Sequence, residues 1–295
     1  MAFTELAAAV ADERTERRRS ALRAWAGNPR AQAGAGTIVV LTAFCFLGPV
    51  FYHTNQVTVN LNAATLPPGT GHPLGTDGDG YDVFGRLMVG GQSSLELGLA
   101  VAAATTVIGV LYGAVAGWAG GVVDMVMMRV IDTLLALPTL VLLLLLVTIF
   151  TPTLPMIIVL LTALSWLGTA RLVRGEILTL RTREYVQAAK TLGGGRWWII
   201  RRHLVPNALG VIIVSATFTI ADAILMLSVL SFLGLGLPPP SADWGSMLAH
   251  GLDYLFDGYW WMVYPPAVIL VVMLIAINLV GEAARDSLDI RLRRR

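Results

Sequence analysis

Apolar residues in this chain come in long unbroken stretches, and polar positions gather between them. A bilayer-crossing helix takes about 20 mostly apolar residues. Six stretches qualify, at about 36–52, 95–117, 131–150, 156–173, 209–232 and 265–283. The third holds Leu137-Pro138 ahead of the run Val141–Val147, which predicts a kink at the proline with the preceding turn near the membrane face. The pattern predicts an all-α, polytopic membrane protein of six transmembrane helices. The first stretch follows a charged tail and begins too far along the chain for a cleaved signal peptide.

Composition agrees. Hydrophobic residues make up 56% and charged residues 14%, against roughly 25% charged in a soluble domain. That excludes an ordinary soluble domain and a disordered chain. The one cysteine, Cys45, leaves no intramolecular disulfide to form. A net charge of +2 provides no basic field for nucleic acid.

The placement of charge says more than its sum. Arg14, Arg17, Arg18, Arg19, Arg23 and Arg30 precede span one, and Arg129 follows span two. Arg171, Arg174, Arg181, Arg183, Lys190, Arg196, Arg201 and Arg202 lie between spans four and five. Arg285, Arg291, Arg293, Arg294 and Arg295 close the chain. Six spans with both termini inside put 20 of the 21 Lys and Arg on the cytoplasmic side, leaving Arg86 outside. The expected domains are a basic tail (1–35), a six-helix membrane domain (36–283) and a second basic tail (284–295). Glu5 to about Ala26 is either a basic helix lying on lipid or a simple positive-inside anchor. The outside loops are 53–94, 151–155 and 233–264, with Trp260 and Trp261 as interfacial anchors.

The inside loop at about 182–207 is rich in helix formers. Thr182 is placed to cap a helix whose first turn holds Glu184. Gly193-Gly194-Gly195 should end it, and a second short helix should run from Arg196 to about His203. Pro206-Asn207 then marks the entry to span five. Small residues at Ala188, Ala189 and Gly193 would let a partner approach the backbone.

These residues carry a resemblance. Glu184-Tyr185-Val186-x-Ala188-Ala189, then Gly193, then His203-Leu204-Val205-Pro206-Asn207 resemble the EAA loop of bacterial ABC importer permeases. The chain is similar, more narrowly, to the second permease subunit of dipeptide and oligopeptide (and nickel) importers. Gly75-Thr76-Asp77, Asp82-Val83-Phe84-x-Arg86, Ser94-Leu95, Asp124, Met128-Arg129, Asp132 and Ala136-Leu137-Pro138 take part. So do Leu230–Gly236, Pro239-Pro240, Trp244-Gly245 and Arg285-Asp286-x-Leu288-Asp289. Tyr81 stands where the family has a basic residue, Gln187 where the general loop has Glu, and Val205 where Leu is usual. The resemblance implies the type I ABC importer permease fold, with a homologous second permease, two cytoplasmic ATPase subunits or domains and an extracytoplasmic substrate-binding lipoprotein as partners. It implies ATPase-coupling roles for Glu184, Tyr185, Ala188, Ala189, Gly193, His203 and Pro206. ATP and Mg would sit on the ATPases, leaving this chain with no cofactor and no enzyme activity. A short peptide is the implied substrate, with nickel or another small solute as the alternative.

Within the spans, Ser215, Thr219, Asp222 and Met226 share one helix face and are candidates for the translocation pathway. An intramembrane ionisable group is a functional candidate by default, although Asp222 would also serve as a structural contact to another helix. Asn278 fits an interhelical hydrogen bond, and Arg129 with Asp132 an i,i+3 pair. Gly98, Ala102, Thr106, Gly109, Gly113 and Gly117 make one face of span two small throughout. That face either packs within the subunit or slides against a partner permease. No phosphate-binding Gly-x-x-x-x-Gly-Lys-[Ser/Thr] string occurs, and the four histidines lack metal-ligand spacing. A self-sufficient secondary transporter would need repeated halves with broken helices, and no such repeat is seen.

Overall fold

The computed structural model describes residues 27–54 and 56–293, with side chains as far as Ser287. The expected basic surface segment at Glu5–Ala26 lies outside the described residues. Among these, no strand is formed, and ten helices follow one another. α1 is Pro29–Phe51, α2 Val83–Ala119, α3 Gly121–Leu135, α4 Thr139–Ile149 and α5 Leu154–Leu180. α6 is Glu184–Thr191, α7 Arg196–Ile199, α8 Val205–Phe232, α9 Trp244–Leu252 and α10 Tyr264–Arg293.

Local sequence sets the starts. Asn28 accepts a hydrogen bond from the Arg30 amide with Pro29 in the first turn of α1. The helix thus begins inside the segment read as tail. Thr153 caps α5 with Pro155 in its first turn, and Asp82 caps α2 by accepting from the Gly85 amide at 2.7 Å. α2 is 37 residues long, about 55 Å at 1.5 Å per residue, and so extends well beyond a ~30 Å hydrocarbon layer.

Among the described residues five helices are long and apolar enough to span a membrane. The sixth candidate is a bent pair: α3 and α4 meet at 76° across Ala136-Leu137-Pro138, where the proline predicts a kink. The stretch 131–150 is therefore not one straight helix. α4 alone, at 11 residues or about 16 Å, is too short to cross.

α2 and α5 make the most extensive helix contact in the molecule. The small face of α2 explains it. A Cβ added at Gly109 would come within 2.7 Å of the Thr169 side chain, and one at Gly117 within 2.9 Å of the Arg174 carbonyl. At Gly113 it would strike the Ala170 carbonyl oxygen. Gly98 seats Ile224 of α8 in the same way. The stripe is a packing seam inside this chain. Above it, Leu97 and Val101 join Leu143 and Val147 of α4, Ile157 and Leu161 of α5, and Leu227 and Leu230 of α8 in one core.

The two ends of the bundle differ. At the capped end, residues 56–82 and 233–263 fold over the helices. At the basic end, α6 and α7 lie across the feet of α2, α5 and α8.

Candidate functional site

α6 begins after Arg183, not after a capping Thr182, whose hydroxyl donates to the Thr179 carbonyl instead. Glu184 does stand in its first turn. Val186 is fully buried and Ala189 partly so, against Val173, Ile177, Ile199, Leu204 and Ala208. The opposite face carries Tyr185, Ala188 and, past its end, Leu192 into solvent. The helix stops as the glycines require. The Gly193 amide donates to the Lys190 carbonyl and the Gly194 amide to the Ala189 carbonyl, a Schellman pair closed by Gly193 at φ +83°. A Cβ at Gly193 would meet nothing in this chain within 4 Å, so the turn faces outward.

The expected second short helix is not a separate element. α7 passes through a π turn at Ile200–Leu204 directly into α8. The Val205 amide reaches back to the Ile200 carbonyl, and this widened turn accommodates Pro206, which has no amide hydrogen to give. Any push on α7 is therefore a push on the long helix α8. Trp197 and Trp198 are exposed, and the rings of Trp198 and Tyr185 flank His203 at centroid distances of 5.0 and 6.2 Å. The Asn207 side chain donates to the His203 carbonyl. Of the seven expected coupling residues, Glu184, Tyr185, Ala188, Gly193 and Pro206 are exposed, Ala189 is partly buried against the bundle, and His203 is half-buried with its ring nitrogens shielded from solvent.

Sequence reasoning missed what fastens this surface to the bundle. The Gln187 amide donates to the Arg181 carbonyl at the end of α5, 2.7 Å away. A carboxylate could not make that bond, which gives Gln187 a reason to differ from Glu. Lys190 lies 4.5 Å over the Trp118 ring, and Arg181 donates to the Gly117 carbonyl. Asp132 pairs with Arg171 of α5 at 2.5 Å, not with its own neighbour Arg129. Arg174 holds Asp124 by two parallel bonds of 2.9 and 2.5 Å.

The polar positions of α8 separate on inspection. The Ser215 and Thr169 hydroxyls lie 3.4 Å apart, the Thr219 hydroxyl bonds back to the Ser215 carbonyl, and Met226 packs against the α4–α5 core. Asp222 alone is exposed, and no hydrogen bond or ion pair among the described residues reaches it. The intrachain structural contact expected as its alternative role is therefore not made. Asn278 bonds within its own helix, to the Leu274 carbonyl, and not across to another.

At the capped end several buried polar groups are tied within the chain. Asp82 is fully buried and takes His72 at 2.7 Å and the Tyr52 hydroxyl at 3.1 Å besides its cap. Asp243 caps α9 through the Gly245 and Ser246 amides and accepts from Ser231. Burial raises its pKa, against the lowering pull of those hydrogen bonds. Arg86 donates to the Gln56 and Pro240 carbonyls and stacks over Tyr81, the residue that replaces the family's basic one. Trp261 is buried, donating to the Thr76 carbonyl, so only the half-exposed Trp260 is available as an interfacial anchor.

Residues 109–294 match the family model described as binding-protein-dependent transport system inner membrane component. The chain belongs to this family. It is 42% identical over 267 residues to the dipeptide transport system permease protein DppC of Bacillus subtilis, covering 90% of this chain and 83% of that one. It is 38% identical over 276 residues to the oligopeptide transport system permease protein OppC of the same organism, covering 94% and 90%. With the probable D,D-dipeptide transport system permease protein DdpC of Escherichia coli the figures are 37% over 291 residues, 98% and 97%. The family resemblance read from the loop residues is borne out, and with it a multi-pass location in the inner membrane. In this chain Asp82, Arg86 and Trp244 act as internal ties, whereas the α6–α7 surface and Asp222 are exposed.

Proposed function

We propose that this chain is one of two homologous permease subunits of an ATP-driven importer of dipeptides or oligopeptides. The relatives named for such peptides match nearly its whole length at 37–42% identity. The α6–α7 surface is the observation that carries the coupling part. It is exposed, aromatic, set by a tight glycine turn and continuous with α8. Two ATPases on the cytoplasmic side grip it through Glu184, Tyr185, Ala188 and the Gly193 turn, and their closure moves 184–204 as a lever. ATP and Mg belong to those partners. The 20-to-1 division of basic residues along the sequence supports both termini lying inside, and a binding lipoprotein delivers peptide to the capped end. The pathway runs along α8 between the two permeases, in contact with lipid only at their outer faces. Asp222 lines it, because an unpaired carboxylate is costly against lipid.

Gly193→Val tests this reading. It strains a left-handed turn and adds bulk on the docking side, with no clash inside the chain. Docking should weaken about 100-fold, equivalent to ~2.7 kcal/mol, while the spans stay folded. Co-purification of the ATPase and substrate-stimulated hydrolysis are the measurements. Full retention of both, with normal transport, removes this loop from the mechanism.

A further inference from the structure

α3 is weakly held by packing. Of its fifteen residues only Asp124 and Ile131 are buried, while Val122, Val123, Met125, Val126 and Val130 are exposed. Its apolar hold on the bundle is Ile131, with the half-buried Met128 beside it, against Leu167 and Ala170 of α5, and Tyr112 donates to the Met127 carbonyl. Polar ties supply the rest. Arg174 grips Asp124 with a planar fork, Nε to Oδ1 at 2.9 Å and Nη2 to Oδ2 at 2.5 Å. The pair is largely shielded, with the Asp124 side chain 12% and that of Arg174 31% exposed. A second pair, Arg171 with Asp132, repeats the tie farther along, but both side chains are half exposed, where such pairs contribute little.

The position of this fork gives it a use. Arg174 sits on α5, two turns before the helix hands over to the α6 turn. α6 is itself bound to the end of α5 by Gln187 and to the foot of α2 by Lys190 on Trp118. On its other side, α3 leads through Pro138 into α4, whose Leu143 and Val147 are buried in the core with α8. The chain of ties therefore runs from α6 to α5, across Arg174–Asp124 to α3, and through the 76° break to α4.

We infer that Arg174 and Asp124 are positioning residues for coupling: they fasten α3 to the helix that carries the ATPase-docking turn, so that movement of that turn reaches the α3–α4 break. The inference rests on the coupling role proposed for α6. Without the fork, α5 and α6 move under the ATPases while α3, left with a small apolar contact, the Tyr112 hydrogen bond and an exposed ion pair, lags behind. Hydrolysis then proceeds without opening the pathway.

The test is the importer assembled with its partner permease, ATPases and binding protein in proteoliposomes, with labelled short alanine peptides as probe. The readout is peptide moved per ATP hydrolysed. Asp124→Asn should still assemble and hydrolyse ATP on stimulation, with that ratio lowered about tenfold, within the range by which single residues alter coupling. The charge exchange Asp124→Arg with Arg174→Asp should recover much of it, which loss of simple packing would not predict. If Asp124→Asn does not assemble, Arg174→Lys replaces it, keeping the charge and losing the fork; a lowered ratio again supports the inference. An unchanged ratio in whichever of these assembles overturns it and leaves the pair as helix packing. Failure of the parent reading looks different: there Gly193→Val keeps its ATPase, whereas here it loses it.

Discussion

At the capped end Asp82 and Asp243 are fully buried, and each accepts hydrogen bonds from several groups of the same chain. At the basic end Tyr185, Leu192, Trp197 and Trp198 stand 42–87% exposed, and the tightest turn projects a bare glycine outward. Both ends expose apolar side chains, Phe256 at the capped end among them, but the capped end ties its buried carboxylates inside the subunit while the basic end gathers exposed aromatics around the α6 turn. The contrast separates carboxylates that shape the fold, such as Asp82, from exposed side chains such as Tyr185 on the surface proposed to meet the ATPase, although both appear among the motifs that carry the family likeness.

The largest effect is all-or-none. In a chain lacking Cys45, a single cysteine at Ser241 should label from outside intact cells, and one at Thr182 only after the membrane is opened; both positions are exposed. Labelling of Thr182 from outside inverts the comparison. Next is Asp243→Ala, which strips the α9 cap and leaves the Ser231 hydroxyl and two buried amides without an acceptor. A loss of about 3 kcal/mol is expected, seen as a lowered melting temperature in detergent. A melting temperature equal to the parent's would mean the capped end is not the self-contained unit described.

Asp222→Leu probes an exposed carboxylate of α8 that no hydrogen bond or ion pair among the described residues reaches. Transport should fall about tenfold, the equivalent of ~1.4 kcal/mol, with assembly and stability intact. Normal transport would remove Asp222 from the pathway, while lost assembly would give it to the permease–permease contact. The smallest effect belongs to Gln187→Glu. It costs the bond to the Arg181 carbonyl, about 1 kcal/mol, and should appear as faster amide exchange in α6 with docking reduced only slightly. Unchanged exchange would show that α6 is held by Val186 and Lys190 alone.

Much of the architecture was legible before any coordinates. Long apolar stretches have one solution in lipid, since a helix satisfies its own backbone. Pro138 and Gly193 act through backbone geometry within a few residues, so the break at 76° and the turn at φ +83° follow from local sequence. The glycine stripe of α2 was equally visible, but its partner was not. Nothing in the spacing says that Thr169, Ala170 and Arg174 fill it.

The same limit explains the corrections. Arg129 lies three residues from Asp132, yet Asp132 turns to Arg171, 39 residues away. Thr182 and Asn278 have side chains suited to a cap and to a helix–helix bond, and each uses the nearest carbonyl of its own helix turn instead. Trp261 has the composition of an interfacial anchor and is buried under the first loop. The sequence by itself determined the number of apolar segments, the side on which positive charge collects, and the places where the backbone must bend or turn. Tertiary structure alone decided which carboxylate meets which guanidinium, which tryptophan is hidden, and which of the four candidate residues on α8 stays open. The reason is one of range: hydropathy and backbone torsion act over a turn or two of helix, whereas ion pairs and burial depend on which faces of distant helices are brought together.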